Sequence, residues 1–149
     1  KEYAADRVAA IAPEGGARHG CANLGGDVRV WGGRPDGGAW RVGIRHPRAP
    51  AGAIGGVDLA DGAVATSGDY ERFVEIGGVR YCHIIDARSG EPVAAWRSVS
   101  VVAPLAVVAG SHATIAMLLA HDAPAFLDRA AFEWLAVDAA GELHGTLPR

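Results

Sequence analysis

The sequence predicts an α+β fold, an antiparallel sheet with flanking helices, and three observations carry that expectation. The opening residues place Tyr3, Ala4, Val8 and Ile11 at helical spacing. The middle of the chain breaks into short β-like segments separated by glycine pairs, with 21 glycines in all. After Pro104 the character changes to Ala- and Leu-rich stretches, followed by a last pair of β-like segments. This order of helix, strands, two helices and hairpin is not the alternating pattern of a parallel βαβ fold.

The first helix is expected over residues 1–12, stopped by Pro13 and Gly15-Gly16. Segments 21–31 and 40–44 read as a loose hairpin across the Gly-, Pro- and Asp-rich loop between them. Residues 57–60 and 63–66 flank Asp61-Gly62, a tight-turn signal. Residues 72–76 and 79–86 flank Gly77-Gly78 in the same way, and 97–103 form a further strand ending at Pro104. A buried helix is expected over 108–121, and a short one over 122–131 with Pro124 in its first turn, where no amide hydrogen is needed. Residues 132–137 and 142–146 close as a hairpin around Ala139-Ala140-Gly141. Without repeat, low-complexity tract or linker, one domain is expected over 1–149. The chain opens on Lys1 inside a helical pattern, so further residues are expected upstream, and an export signal could have stood there.

Composition narrows the function classes. The 149 residues are 50% apolar and 21% charged, enough to bury a core and unlike a disordered chain. No apolar run reaches the ~20 residues of a membrane helix, so no transmembrane segment is expected. Lys and Arg total 14 against 17 Asp and Glu, without a basic stripe, so nucleic acid is not an expected partner. Cys21 and Cys82 form no CxxC pair or Cys/His comb, which argues against a zinc site or redox dithiol. Two buried thiols are expected, with a single disulfide as the alternative.

Local chemistry concentrates in a few places. Thr66-Ser67-Gly68-Asp69-Tyr70-Glu71-Arg72 begins where an apolar strand ends. Hydroxyls, a glycine and an arginine there suit either an anionic ligand or an ordinary polar turn. His83 stands mid-strand, with His83 and Ile85 on one face and Cys82 and Ile84 on the other, either as a core histidine or as an acid/base group. Asp86 opens an Asx turn. Asn23-Leu24-Gly25-Gly26-Asp27 suggests a bulge or a close backbone approach, because the dinucleotide-binding spacing of glycines is absent. Ser111, His112 and Thr114 sit near an expected helix start, which Ser111 would cap.

Taken together and in order, five segments resemble the ApbE family of FAD:protein FMN transferases. Lys1-Glu2-Tyr3-Ala4-Ala5-Asp6 resembles K-G-Y-A-x-D, and Asn23 to Asp27 resembles N-x-G-G-D. Ala65 to Arg72 is the third segment. Arg80-Tyr81-Cys82-His83-Ile84-Ile85-Asp86-Ala87-Arg88-Ser89-Gly90 resembles R-Y-x-H-I-I-D-P-x-T-G, and Ala109 to Thr114 resembles A-D-A-x-A-T. The likeness covers the C-terminal half of the family domain. It implies FAD as substrate, magnesium at the pyrophosphate, transfer of FMN to a threonine of a flavin-acceptor protein, and release of AMP; some members hydrolyse FAD instead. By the same resemblance Asp6 contacts the nucleotide, and Gly25 and Gly26 let the backbone approach it. Ser67 and Gly68 lie by the phosphates, His83 contacts phosphate or carries a proton as the catalytic residue, and Thr114 is a magnesium ligand. Family members are often exported and lipid-anchored, which implies a periplasmic or membrane-anchored setting and leaves a cytoplasmic one open.

The departures matter as much. Gly110 stands at the family's metal-binding aspartate, Glu2 replaces a glycine, Cys82 a histidine, and Ala87 a proline. Magnesium prefers anionic oxygen, so Thr114 alone is a weak holder and the His112 nitrogen suits other metals. Asp122 lies too far along the helix to replace the missing carboxylate, whereas Asp27, Asp69 and Asp86 are carboxylates that folding could bring in. An active transferase or FAD pyrophosphatase, a degenerate flavin- or nucleotide-binding module and a non-binding structural domain are the readings left open.

Overall fold

The computed structural model describes residues 1–49 and 51–148. Among these residues three α-helices, α1 (Glu2–Ile11), α2 (Ala106–Leu119) and α3 (Ala123–Ala130), accompany ten strands. A six-stranded antiparallel sheet has the order β1 (Gly20–Leu24), β2 (Asp27–Trp31), β5 (Gly62–Gly68), β8 (Trp96–Ala103), β9 (Trp134–Asp138) and β10 (Leu143–Gly145). Two antiparallel ribbons complete the fold, β3 (Trp40–Arg45) with β4 (Ala53–Leu59), and β6 (Phe73–Ile76) with β7 (Val79–Cys82). The α+β expectation holds. Among the described residues no helix is long and apolar enough to cross a membrane.

The sheet separates two cores. On one face α2 and α3 pack against Ala65, Val99, Val101 and Ala103. The α2 residues turned inward are Ala106, Ala109, Gly110, Ala113, Ala116 and Met117, a helical-period stripe of mostly small side chains that lets the helix lie close to β5 and β8. On the other face Val42, Ile44 and Val57 of the β3–β4 ribbon cover Val30, Val64 and Leu135.

Several expectations are corrected by tertiary pairing. Residues 21–31 are two strands, not one, because Gly25 and Gly26 at φ +64° and +93° form a two-residue turn between β1 and β2. Segment 40–44 does not pair with them: β3 pairs with β4 and covers the sheet. Asp61-Gly62 therefore joins a ribbon to the main sheet and is not a hairpin tip, since β5 pairs with β2 and β8. The expected Gly77-Gly78 hairpin forms, but β7 ends at Cys82. In α1 it is Ala5 and Ala9 that are buried, while Tyr3, Val8 and Ile11 are exposed. Both cysteines are free, Cys82 buried and Cys21 exposed, which corrects the expectation of two buried thiols.

Candidate functional site

A cavity of about 840 Å³ opens where β5 outruns its neighbour. Pairing with β8 continues to Gly68 opposite Ser98, whereas pairing with β2 ends at Val28 opposite Val64. The edge of β5 beyond Val64 is thus free of strand pairing on that side, and the Asp27 carboxylate takes over by accepting from the Thr66 amide at 3.3 Å. Thr66, Ser67 and Gly68 line the cavity together with the Gly25-Gly26 turn, Gly110 and Thr114 of α2, and His83. Six positions singled out from the sequence, Gly25, Gly26, Ser67, Gly68, His83 and Thr114, therefore converge on one hollow, and Gly110 joins them.

Ser67 Oγ and Thr114 Oγ1 are 2.8 Å apart in a hydroxyl–hydroxyl hydrogen bond linking β5 to α2. Gly68 is small because a Cβ there would stand 2.5 Å from the Tyr70 ring and 3.0 Å from the Arg97 carbonyl oxygen. His83 lies just past β7 and is exposed, which corrects its mid-strand placement and removes the core-histidine reading. Alternation nevertheless holds, with Cys82 and Ile84 buried and His83 and Ile85 exposed. The His83 amide and Nδ1 both bond the Arg72 carbonyl oxygen at 3.1 Å. A carbonyl only accepts, so Nδ1 carries the hydrogen and a neutral ring has its basic nitrogen at Nε2.

Basic groups line the same hollow. Lys1, Arg45 and Arg72 are part of its wall; Arg45 pairs with Glu71 and lies 5.1 Å from the centre of the Tyr70 ring. Lys1 Nζ sits 3.0 Å from Asp27 Oδ2. Asp27 is buried, at 1% exposure, between that ammonium and the neighbouring Glu2 carboxyl. Burial raises the Asp27 pKa, Lys1 opposes the rise, and the neighbouring Glu2 carboxyl adds to it. Asp27 was one of three carboxylates that folding could bring in, and of these it is the one beside the hollow, whereas Arg45 was not singled out from sequence and Lys1 appeared only as the first residue of a motif.

Other residues have different placements. Asp6 is not in the cavity lining: its two oxygens accept from the Ala106 and Val107 amides at 2.8 and 2.9 Å and cap α2. Helix α2 consequently begins earlier than expected and is not capped by Ser111, whose hydroxyl donates to the Val107 carbonyl within the helix. His112 bonds the Val108 carbonyl and stacks on Phe126 at 5.3 Å, away from any ligand role. Arg48 grips Asp69 at 2.6 and 2.7 Å, and Asp86 holds the Arg88 amide and guanidinium in its Asx turn. Among the described residues no three His, Cys, Asp or Glu side chains form a metal cluster. A cation here would rely on hydroxyls, a carboxylate and a ligand's own phosphate oxygens.

Comparison with known proteins matches this arrangement to one family. The model of the ApbE family matches residues 1–136. An FAD:protein FMN transferase of Rhodobacter capsulatus is 40% identical over 118 residues, covering 76% of this chain and 22% of that protein. The one of Escherichia coli strain K12 is 34% identical over 119 residues, 78% of this chain and 34% of its own length. The crystal structure of the ApbE protein from Thermotoga maritima superposes with a TM-score of 0.90 at 33% identity, over 97% of this chain and 48% of that one. The flavinyl transferase ApbE of Pseudomonas stutzeri gives 0.80 at 28% identity, over 99% and 47%. The chain thus spans less than half the length of each of these relatives. With its motifs gathered around a single hollow and its fold shared with flavinyl transferases, the chain belongs to the ApbE family.

Proposed function

We propose that this chain is the C-terminal half of the domain of a magnesium-dependent FAD:protein FMN transferase, and that its cavity holds the pyrophosphate of FAD. The observation that carries this reading is the convergence of Ser67, Thr114 and His83 with the Gly25-Gly26 turn on one hollow. Lys1, Arg45 and Arg72 supply positive charge for a dianionic bridge, and the Gly25-Gly26 turn offers backbone without side chains in the way.

The reaction is displacement at phosphorus. A threonine oxygen of the acceptor protein bonds to the phosphorus on the FMN side, the bond from that phosphorus to the bridging oxygen breaks, and AMP leaves with the oxygen. His83 Nε2 takes the proton of the threonine hydroxyl, its ring held in the required tautomer by the Arg72 carbonyl. Ser67 and Thr114 share one hydrogen bond, which leaves one hydroxyl hydrogen to donate to a phosphate oxygen. The site's oxygen donors fit a hard divalent cation, with Thr114 as a ligand. Bound magnesium would offset the charge that builds on the phosphates.

Gly110 favours a second reading, a module that binds the flavin nucleotide without transfer. Incubating the full chain with FAD and magnesium and measuring AMP by chromatography separates the two. Magnesium-dependent AMP release supports the transferase; tight FAD binding without AMP supports the module. Absence of both overturns the assignment of the cavity to FAD.

A further inference from the structure

The two departures from the family pattern that bear on a metal, Glu2 for glycine and Gly110 for aspartate, lie far apart in the chain and meet in space. A Cβ on residue 110 would stand 2.8 Å from Glu2 Cγ, 3.3 Å from its Cδ and 3.1 Å from its Oε1. The Glu2 carboxyl therefore occupies the volume that an acidic side chain on α2 would need, and the two cannot coexist there without one moving. We infer that Glu2, at the start of α1, supplies the carboxylate that residue 110 lacks, so that a divalent cation is held by an anionic oxygen delivered from a different helix.

Three features support the exchange. Thr114 lies one turn beyond Gly110 on the same side of α2, and Glu2, Gly110 and Thr114 all line the one cavity. Glu2 Oε1 is turned toward Gly110, while Oε2 lies 3.4 Å from the Lys1 backbone nitrogen. Asp27 beside it is buried, with Oδ2 facing the Lys1 ammonium at 3.0 Å, so the negative charge at this end of the cavity already draws a cation. Glu2, Thr114 and Ser67 together form a set of hard oxygens, the donor type magnesium and manganese select.

The inference rests on the metal-dependent reading above, and manganese binding tests the two separately. Mn2+ is titrated into the full chain and the free ion read by electron paramagnetic resonance, with melting temperature as the control for folding. Glu2→Gln keeps the volume and removes the charge; it is expected to weaken Mn2+ binding by about tenfold or more with little change in melting temperature. Glu2→Gly is expected to do the same, and Glu2→Gly combined with Gly110→Asp to restore most of the binding. Gly110→Asp alone places two carboxyl groups in one volume and is expected to lower the melting temperature. Wild-type Mn2+ affinity in Glu2→Gln overturns the role of Glu2 and leaves the metal-dependent reading standing. A folded double variant that does not regain Mn2+ overturns the exchange of positions. Absence of Mn2+ binding by the wild type overturns both.

Discussion

The cavity is built from two regions of opposite character. On one side β5 and α2 form a wall in which Ala65, Ala109, Ala113 and Met117 have no exposure at all, and the Ser67–Thr114 hydrogen bond crosses directly from strand to helix. On the other side the β6–β7 hairpin carries His83 just beyond its end, and all four residues of β6 are exposed. Phe73, Val74, Ile76 and Val79 project outward, with the Arg80 guanidinium 4.0 Å from the Phe73 ring centre. The wall takes its position from nonlocal burial. The hairpin's tip is held by its own turn and ladder, and its base by Cys82 buried in the core and by the bonds of His83 to Arg72. The exposed end of the hairpin has little packing to constrain it, while His83 itself is fixed between Cys82 and Ile84, both buried in the core.

Five substitutions at four positions sharpen or break this contrast. Met117→Ala opens a void in the wall and is expected to lower stability by about 2–5 kcal/mol, read from the denaturant midpoint. Asp6→Ala strips the cap from α2 and is expected to cost about 1–2 kcal/mol, with Asp6→Asn recovering part of it because an amide oxygen still accepts. His83→Ala is expected to shift stability by less than about 0.5 kcal/mol while lowering AMP release by about a hundredfold or more. A large loss of stability there would mean that His83 holds the hairpin in place and does not serve the reaction. Ile76→Thr, at the exposed end of β6, is expected to leave stability within about 0.5 kcal/mol of wild type. A larger effect would show that the hairpin is more firmly anchored than its exposure implies.

Much of the architecture was legible in the chain itself. The Gly77-Gly78 hairpin, both C-terminal helices and the closing hairpin follow from local patterns, because glycine pairs with positive φ and helical periodicity act within a few residues. The motif residues Ser67, His83 and Thr114 were also legible, and the fold gathers them. Asp6 shows where such reading stops. Its family motif suggested a ligand contact, yet its oxygens cap a helix whose first residues lie a hundred positions onward. Likewise Tyr3, Val8 and Ile11, which gave α1 its helical spacing, are exposed. Close packing over Ala63 and Ala106 admits the small Ala5 and turns the large side chains outward.

By itself the sequence determined the backbone types of most segments, the positions of the tight glycine turns and the identity of the polar side chains available for chemistry. Only the tertiary structure decided that β3 covers the sheet and does not extend the first hairpin, that β2 stops short and opens an edge of β5, and that Glu2 fills the space beside Gly110. The reason is physical. Dihedral preference and periodicity are properties of neighbouring residues, whereas strand partnership and the meeting of distant side chains depend on which apolar faces bury one another once the whole chain has collapsed.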